Sequence, residues 1–231
     1  MKWLKALALY SGGKDSHYAL LRAIESGIDV RALIIVISRR EDSWMFHTIN
    51  IKWTKLHAEA MGLPFEYIYV SGEKEVEVIE LLEKIKSLAR KYNVDAIVTG
   101  VVASMYQKKR IDYIAKEIGV KHIAPLWGED PEKVLRNEVA RLEFVITAVQ
   151  SHGLGPEWLC SRITKDNIER FLRLCRKHKI NPVGEGGEFE TFIINSPLMK
   201  KKIVILEGEK KWFPAGFGYY IIKKAKLVEK A

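Results

Sequence analysis

The stretch Ser11-Gly12-Gly13-Lys14-Asp15-Ser16 decides the fold that this sequence predicts. It follows an apolar run at residues 4–10 and precedes a helical pattern at residues 17–25, so it lies where a strand passes into a helix. The two glycines permit a tight turn and leave no side chain between main-chain N–H groups and an anion. A helix that begins near Asp15 would direct its positive end toward the same point. The stretch, called the SGGKDS loop below, therefore predicts a phosphate-binding site.

The side chains of the SGGKDS loop indicate a magnesium nucleotide. Ser11 and Ser16 can donate hydrogen bonds to phosphate oxygens, and Lys14 supplies a mobile positive charge. Asp15 has the wrong sign for phosphate unless a magnesium ion lies between them, which indicates Mg-ATP. The spacing matches neither G-x-x-x-x-G-K-[ST] nor G-x-G-x-x-G. An ordinary strand-to-helix turn is the simpler alternative, but it explains neither the lysine nor the second serine.

Composition indicates a globular protein outside the membrane. The 231 residues are 48% hydrophobic, enough for the core of one large domain or two small ones. The longest apolar run, near residues 32–37, is far shorter than the roughly 18 residues of a membrane-spanning helix. The apolar residues near the N-terminus run into the SGGKDS loop instead of a cleavage site, so we expect a cytosolic protein. Few glutamines and cysteines, with 29% charged residues, are typical of a heat-adapted protein.

Charge and cysteine content narrow the classes of partner. The net charge of +9 is spread evenly, with 19 basic and 15 acidic residues before Trp127 and 19 and 14 from it onward. Contact with RNA therefore stays open without being implied, as does a homo-oligomer. Cys160 and Cys175 lack the paired spacing of a structural zinc site.

The first half of the chain predicts an α/β nucleotide-binding domain. Apolar β-rich runs alternate with helical periods, a pattern typical of a parallel sheet with crossover helices. Ligands of such sheets lie beyond the carboxyl ends of the strands, where polar segments 11–16, 38–50 and 100–110 fall. The predicted strands are residues 5–10, 30–37, 66–70, 96–99 and 122–124, and the predicted helices are residues 15–26, 51–61, 74–92 and 109–118.

The regular alternation of strand and helix patterns ends after residue 126, which predicts a second, smaller α+β unit. We place the domains at residues 1–127 and 128–231, with the active site in a cleft between them. An antiparallel sheet with helices packed on it is expected. The predicted helices are residues 131–140 and 165–178, and the predicted strands are residues 142–150, 191–195, 202–209 and 218–228.

The glycine-glutamate loop, residues 181–191, is the second segment with chemical content. Glu185, Glu188 and Glu190 fall within six residues around three glycines, and their charges repel one another unless a cation compensates. The segment therefore predicts a site for a cation. A solvent-exposed glycine turn with hydrated glutamates remains the alternative.

Together these segments resemble the diphthine-ammonia ligase family of PP-loop ATP pyrophosphatases. The resemblance extends over nearly the whole chain, and it implies a PP-loop domain of the HUP, or adenine nucleotide alpha hydrolase-like, class. The SGGKDS loop alone indicates only the superfamily, whereas its combination with GEGGEFET at residues 184–191 is much more restrictive. Lys108-Lys109 departs from the less basic pair that is common in the family. The remaining matching segments are residues 42–47, residues 100–110 and Pro125-Leu126-Trp127.

The resemblance implies the last step of diphthamide synthesis. The carboxylate of diphthine, a modified histidine on translation elongation factor 2, becomes an amide at the expense of ATP and ammonia. Hydroxide is a poor leaving group, so an acyl-adenylate forms first and ammonia then displaces AMP, after pyrophosphate has left. No glutaminase-like Cys-Gly pair is visible, so free ammonium is the expected nitrogen donor.

The resemblance also implies roles for individual residues. In the SGGKDS loop, Lys14 would neutralise developing charge, Asp15 would position Mg²⁺, and Ser11, Gly12, Gly13 and Ser16 would hold the β and γ phosphates. Ser38 is the candidate for adenine contact, and His47 and Gly100 join the nucleotide site. The residues expected near the α phosphate or the acyl group are Ser104, Tyr106, Gln107 and Arg110.

The glutamates of the glycine-glutamate loop are expected to serve the acceptor. Glu185, Glu188 and Glu190 would attract the trimethylammonium group of diphthine or take the proton of ammonium. Trp44, Trp127 or Tyr106 would offer an aromatic face to the same cation.

Two other functions stay open. A PP-loop tRNA-modifying ligase would use the same adenylating loop on a nucleobase. Sulfur transfer, however, usually needs paired nucleophilic cysteines or a metal-bound cluster, and Cys160 with Cys175 lack that arrangement. A nucleotide-sensing module would bind ATP without turnover, but it leaves GEGGEFET unexplained.

Overall fold

The computed structural model describes residues 3–39, 50–73 and 75–230. The first half forms the predicted parallel sheet, and its strands run in the order β3-β2-β1-β4-β5. These strands are β1 (Lys5–Leu9), β2 (Asp29–Ser38), β3 (Phe65–Val70), β4 (Ala96–Val98) and β5 (Lys121–Ile123), and the helices between them are α1 (Lys14–Glu25), α2 (Thr54–Met61), α3 (Val76–Tyr92) and α4 (Met105–Ile118).

Local sequence explains most of these elements. The centres of β1 and β2 are apolar on both faces because helices cover the sheet on both sides. The predicted helix at residues 51–61 divides into a 3₁₀ turn, Ile51–Trp53, and α2. The start of α4 was predicted four residues too late, because Ser104 Oγ caps it by accepting the Gln107 N–H at 3.3 Å.

The second half forms an antiparallel sheet in the order β7-β6-β9-β8, with helices packed on it. The predicted α+β unit is therefore confirmed. Residues 200–230, which include the long β8-β9 ribbon, carry nine lysines and three glutamates, so the positive charge is spread less evenly than the comparison of the two halves indicated. The elements are α5 (Pro131–Arg141), β6 (Glu143–Val149), α6 (Ile168–His178), β7 (Phe189–Asn195), β8 (Lys201–Phe213) and β9 (Phe217–Glu229).

The two sheets meet at the SGGKDS loop. The N–H of Ile193 in β7 donates to the Gly12 carbonyl at 3.0 Å, and the Lys14 N–H donates to Thr191 Oγ1 at 3.0 Å. One buried apolar cluster contains Leu20 of α1 together with residues of β6 and β7. The division at residues 127 and 128 stays a prediction, because the halves share this core. In the described part of the chain, no helix has the length and apolar character needed to cross a membrane.

Two buried histidines lie beneath the SGGKDS loop. Both ring nitrogens of His17 form hydrogen bonds. Nδ1 lies 2.7 Å from the Tyr10 hydroxyl, and Nε2 lies 2.6 Å from Ser196 Oγ. His57 Nε2 donates to the Ile193 carbonyl at 2.7 Å. Burial lowers the pKa of His57 to about 4, and burial together with nearby His57 lowers the pKa of His17 well below its ordinary value.

We expect the free energy of unfolding to fall with pH below the ordinary histidine pKa. His17 and His57 stay neutral in the folded protein but become charged in the unfolded chain, so their contribution is complete above about pH 6.5 and is lost toward the folded pKa. For His57 the full loss is about 3 kcal/mol. Urea unfolding at about pH 7 and about pH 5 measures the trend.

The matched variant is His57→Gln, whose amide can still donate to the Ile193 carbonyl but does not titrate in this range. It should lose less stability than the parent between the two pH values. An equal loss would show that His57 is not a source of the pH dependence.

Candidate functional site

A cavity of about 230 Å³ lies at the carboxyl ends of β1 and β4, where parallel sheets bind ligands. Its walls come from the SGGKDS loop, the segment after β4 and the glycine-glutamate loop, and β2 adds Ile34 and Val36. The predicted cleft between the two halves is therefore present, and residues from both halves line it.

The SGGKDS loop is held in shape by its own hydroxyl groups. Ser11 Oγ lies 3.0 Å from Ser16 Oγ and accepts the Gly13 N–H at 3.3 Å. Ser11, Gly13, Asp15 and Ser16 line the cavity. Gly12 faces the opposite way: its φ of +84° suits glycine, and a Cβ there would lie 2.8 Å from Thr54 Cγ2. Gly12 thus shapes the loop without lining the cavity.

The expectation that Lys14 supplies a mobile charge is wrong. Its side chain is only 1% exposed, and Nζ donates to Asp15 Oδ1 at 2.7 Å and to the Val183 carbonyl at 2.7 Å. Glu138 Oε2 of α5 lies 3.4 Å from the same nitrogen. A charge removed from water requires such partners, so Lys14 is held in the interior and is not among the residues that line the cavity.

Glu138 was missed by sequence reasoning, because it occupies an ordinary buried position of the amphipathic helix α5. Its side chain is fully buried, and its oxygens have no hydrogen-bond partner among the described residues. Burial raises its pKa well above the ordinary value, and neighbouring Asp15 raises it further. Burial lowers the pKa of Lys14, but attraction to Asp15 and Glu138 outweighs it, so that pKa is raised and the ammonium stays charged.

Gly100 brings the segment after β4 against the start of α1. A Cβ at this position would lie 2.6 Å from the Ser16 nitrogen and 2.7 Å from the Asp15 carbonyl carbon. Only glycine allows this approach, and Gly100 itself lines the cavity. Its predicted place at the nucleotide site thus has a steric reason that the motif did not reveal.

Part of the motif at residues 104–110 lines the cavity. Gln107 lines the cavity, whereas Ser104 caps α4. Arg110 stacks on the Tyr106 ring, with Cζ 3.3 Å from the centroid, and pairs with Glu75 next to α3. Ser104, Tyr106 and Arg110 are not among the residues that line this cavity, so their place beside the reacting groups stays a prediction.

Two nucleotide-site predictions concern the segment after β2. Ser38, the last residue of β2, is buried and does not line the cavity, which β2 reaches through Ile34 and Val36 instead. The adenine contact expected at Ser38 therefore stays a prediction. His47 and Trp44 lie outside the described residues.

The three glutamates of the glycine-glutamate loop have three different environments. Glu185 accepts the Val102 N–H at 2.8 Å and the Ala103 N–H at 2.6 Å, so both of its oxygens bind the segment after β4. Glu188 Oε1 accepts the Asn181 N–H at 3.1 Å, and Glu188 lies outside the cavity. Glu190 lines the cavity. Glu185 also lines the cavity. Glu185 and Glu188 therefore hold the loop through main-chain N–H groups, and the role expected for them with a cationic substrate stays a prediction.

The aromatic faces expected for that cation already have cationic neighbours. Arg110 covers Tyr106, and Lys108 Nζ lies 5.3 Å from the centroid of the Trp127 ring. These two rings thus stabilise side chains of the protein itself.

Asp15 is the residue that fits a magnesium ion. Its side chain is 30% exposed at the cavity wall, beside the loop expected to hold phosphate. Magnesium commonly binds one or two carboxylates together with substrate phosphates, which this single carboxylate satisfies. The described residues contain no group of three or more His, Cys, Asp or Glu side chains that could hold a metal ion without a ligand.

Comparison with known families accounts for both halves of the chain. A family described as diphthamide synthase N-terminal domain matches residues 4–122, and one described as diphthamide synthase C-terminal domain matches residues 130–228. The chain belongs to the diphthamide synthase family.

Three curated relatives of the chain are all named diphthine–ammonia ligase. The diphthine–ammonia ligase of Rattus norvegicus is 32% identical over 225 residues, covering 89% of this chain and 84% of the relative. That of Homo sapiens is 33% identical over 227 residues with the same coverage. That of Saccharomyces cerevisiae is 23% identical over 85% of this chain and 34% of the relative.

A solved structure also resembles this diphthamide synthase family member. It is a predicted subunit of tRNA methyltransferase from Methanocaldococcus jannaschii, with 14% identity, a TM-score of 0.45, and coverage of 84% of this chain and 98% of its own. This likeness is too low to bear on function.

Replacing Lys14 tests whether its buried ammonium stabilises the folded protein. Lys14→Met leaves Glu138 buried without a cation and should lower the free energy of unfolding by about 3 kcal/mol, measured by urea unfolding. The matched control is Lys109→Met, an exposed position on α4, which should change stability by less than about 0.5 kcal/mol. Equal effects of the two substitutions would contradict the interior role.

Proposed function

We propose that the chain is an ATP-dependent diphthine–ammonia ligase. It converts the diphthine carboxylate of translation elongation factor 2 into an amide with ammonium, and it releases AMP and pyrophosphate. Family membership and the names of the curated relatives support this activity. The observation that carries it is a single cavity lined by both the SGGKDS loop and the glycine-glutamate loop.

The residues of the SGGKDS loop suit the binding of a departing pyrophosphate. Ser11 and Ser16 place two hydroxyl groups at the cavity wall, and Gly13 lies at the N-terminus of α1, where N–H groups and the helix dipole favour an anion. Lys14 holds this arrangement from behind by joining Asp15 to Glu138 and the Val183 carbonyl. Mg²⁺, held by Asp15, would neutralise charge on the phosphates.

The acceptor would enter beside the glycine-glutamate loop. Adenylation turns its carboxylate oxygen into part of a good leaving group, and ammonia then attacks the acyl carbon. Glu185 and Glu190 both line the cavity, and we assign Glu190 to the trimethylammonium charge because it places a carboxylate in the wall that the glycine-glutamate loop forms. A carboxylate attracts a quaternary ammonium without needing a hydrogen bond.

A sulfur-transferring tRNA enzyme fits the structure less well. Cys175 is buried, and burial raises the pKa of its thiol to about 12, which opposes a nucleophilic thiolate. Cys160 is not paired with it.

The decisive experiment mixes the protein with diphthine-bearing elongation factor 2, ATP and ammonium. AMP should appear together with the small mass decrease that replacement of OH by NH₂ produces on the elongation factor. Omitting ammonium should abolish the mass change. Turnover that requires tRNA instead would favour the nucleobase-modifying alternative, and an absence of AMP release would favour a nucleotide-sensing module.

Glu190→Gln removes the negative charge assigned to the trimethylammonium group. We expect the KM for diphthine-bearing elongation factor 2 to rise about tenfold, while the KM for ATP stays unchanged. Steady-state assays with each substrate varied in turn measure both constants. Glu117→Gln, at an exposed position on α4, is the matched control. Parallel increases in both KM values would instead indicate a general distortion of the cavity.

A further inference from the structure

A hydrogen-bonded chain of three side chains leads from the cavity to the surface. Thr99, the residue after β4, lines the cavity, and its Oγ1 lies 2.7 Å from His122 Nε2 in β5. His122 Nδ1 lies 2.6 Å from Asp112 Oδ1 in α4. None of the three residues belongs to the motifs for which the sequence predicts a chemical role.

The direction of each hydrogen bond follows from the carboxylate. Asp112 can only accept, so His122 Nδ1 carries the proton and His122 Nε2 is left as an acceptor. Thr99 must then donate its hydroxyl proton to Nε2. This is the order of a hydroxyl, an imidazole base and an orienting carboxylate that enzymes use to move a proton.

The surroundings keep the imidazole ready to accept a proton. The His122 side chain is 5% exposed, and burial lowers its pKa although the Asp112 carboxylate opposes the shift. The charged groups that face it are Asp112 and Lys108, which pair with each other at 2.6 Å on α4. The neutral imidazole is hydrogen-bonded to the hydroxyl of Thr99, a residue that lines the cavity, and this arrangement suits a general base.

We infer that Thr99, His122 and Asp112 form the relay that removes a proton from ammonium during amide formation, an inference that rests on the proposed function. Ammonium is not a nucleophile until one N–H bond breaks. As that proton passes to Thr99 Oγ1, the hydroxyl proton of Thr99 passes to His122 Nε2. Asp112 stabilises the resulting imidazolium.

The freed nitrogen lone pair forms the C–N bond, and the C–O bond to the adenylate breaks with its electron pair leaving on the AMP phosphate. The second surplus proton of the nitrogen leaves with that phosphate. His122 returns its proton to water when the products depart.

Hydroxylamine separates this role from a structural one, because it is largely uncharged near neutral pH and attacks an acyl-adenylate without prior deprotonation. Thr99→Val and His122→Asn should lower the ammonium-dependent rate about 100-fold or more. Hydroxamate formation and ATP–pyrophosphate exchange on diphthine-bearing elongation factor 2 should stay within about threefold of the parent. His152→Asn, at an exposed position, is the matched control. Raising the pH should partly restore the ammonium-dependent rate of both relay variants, because more free ammonia is then present.

Equal losses in the ammonium and hydroxylamine reactions would overturn the relay, as would an unchanged ammonium rate. Thr99→Val is nearly isosteric, so it decides the question by itself if His122→Asn does not fold. A parent protein that makes neither amide nor hydroxamate would refute the proposed function and the relay together. An active parent with unaffected variants would refute the relay alone.

Discussion

The buried ammonium of Lys14 is the interaction on which the candidate site depends. Moving such a charge out of water costs several kcal/mol unless close partners replace the lost hydration. Those partners are Asp15 at the start of α1, Glu138 on α5 and the carbonyl of Val183 in the glycine-glutamate loop. Three segments that are distant in the chain must therefore be in place together, and they form one wall behind the cavity.

Hydrogen bonds from main-chain N–H groups also join the walls of the cavity to one another. Glu185 binds two N–H groups of the segment after β4, and Thr191 accepts the N–H of Lys14. The glycine-glutamate loop is therefore a structural wall of the cavity, in addition to the contact with the acceptor that we propose for it. This explains why the two loops form a single cavity, and why a protein with both could couple cleavage of ATP to chemistry on a second substrate.

The two surfaces of the cavity also divide the proposed chemistry. The SGGKDS loop supplies N–H and hydroxyl groups for phosphate on one side, and Glu190 lies among the wall residues of the glycine-glutamate loop. Thr99, with His122 and Asp112 behind it, approaches from the end of β4. Nucleotide, acceptor cation and nitrogen nucleophile thus each have a separate group of residues, all within reach of one space.

The sequence predicts those features of the site that depend on neighbouring residues better than those that depend on residues far apart in the chain. The phosphate loop and the start of α4 are local, because glycine torsions and the Ser104 cap involve neighbouring residues. The place of Gly100 at the cavity was predicted from a motif, but its cause is contact with the backbone of α1. The ion pair between Arg110 and Glu75 could not be predicted from the motif, because Glu75 lies next to another helix.

The sequence by itself determined the alternating α/β order, the phosphate loop between β1 and α1, and the second antiparallel unit, since periodicity and turn chemistry act over a few residues. Only the tertiary structure decided that Lys14 points inward, that Glu138 stands behind it, and that Thr99 meets His122 and Asp112. These contacts join residues far apart in the chain. Burial then sets which of their side chains stay charged, and burial exists only once both halves have packed together.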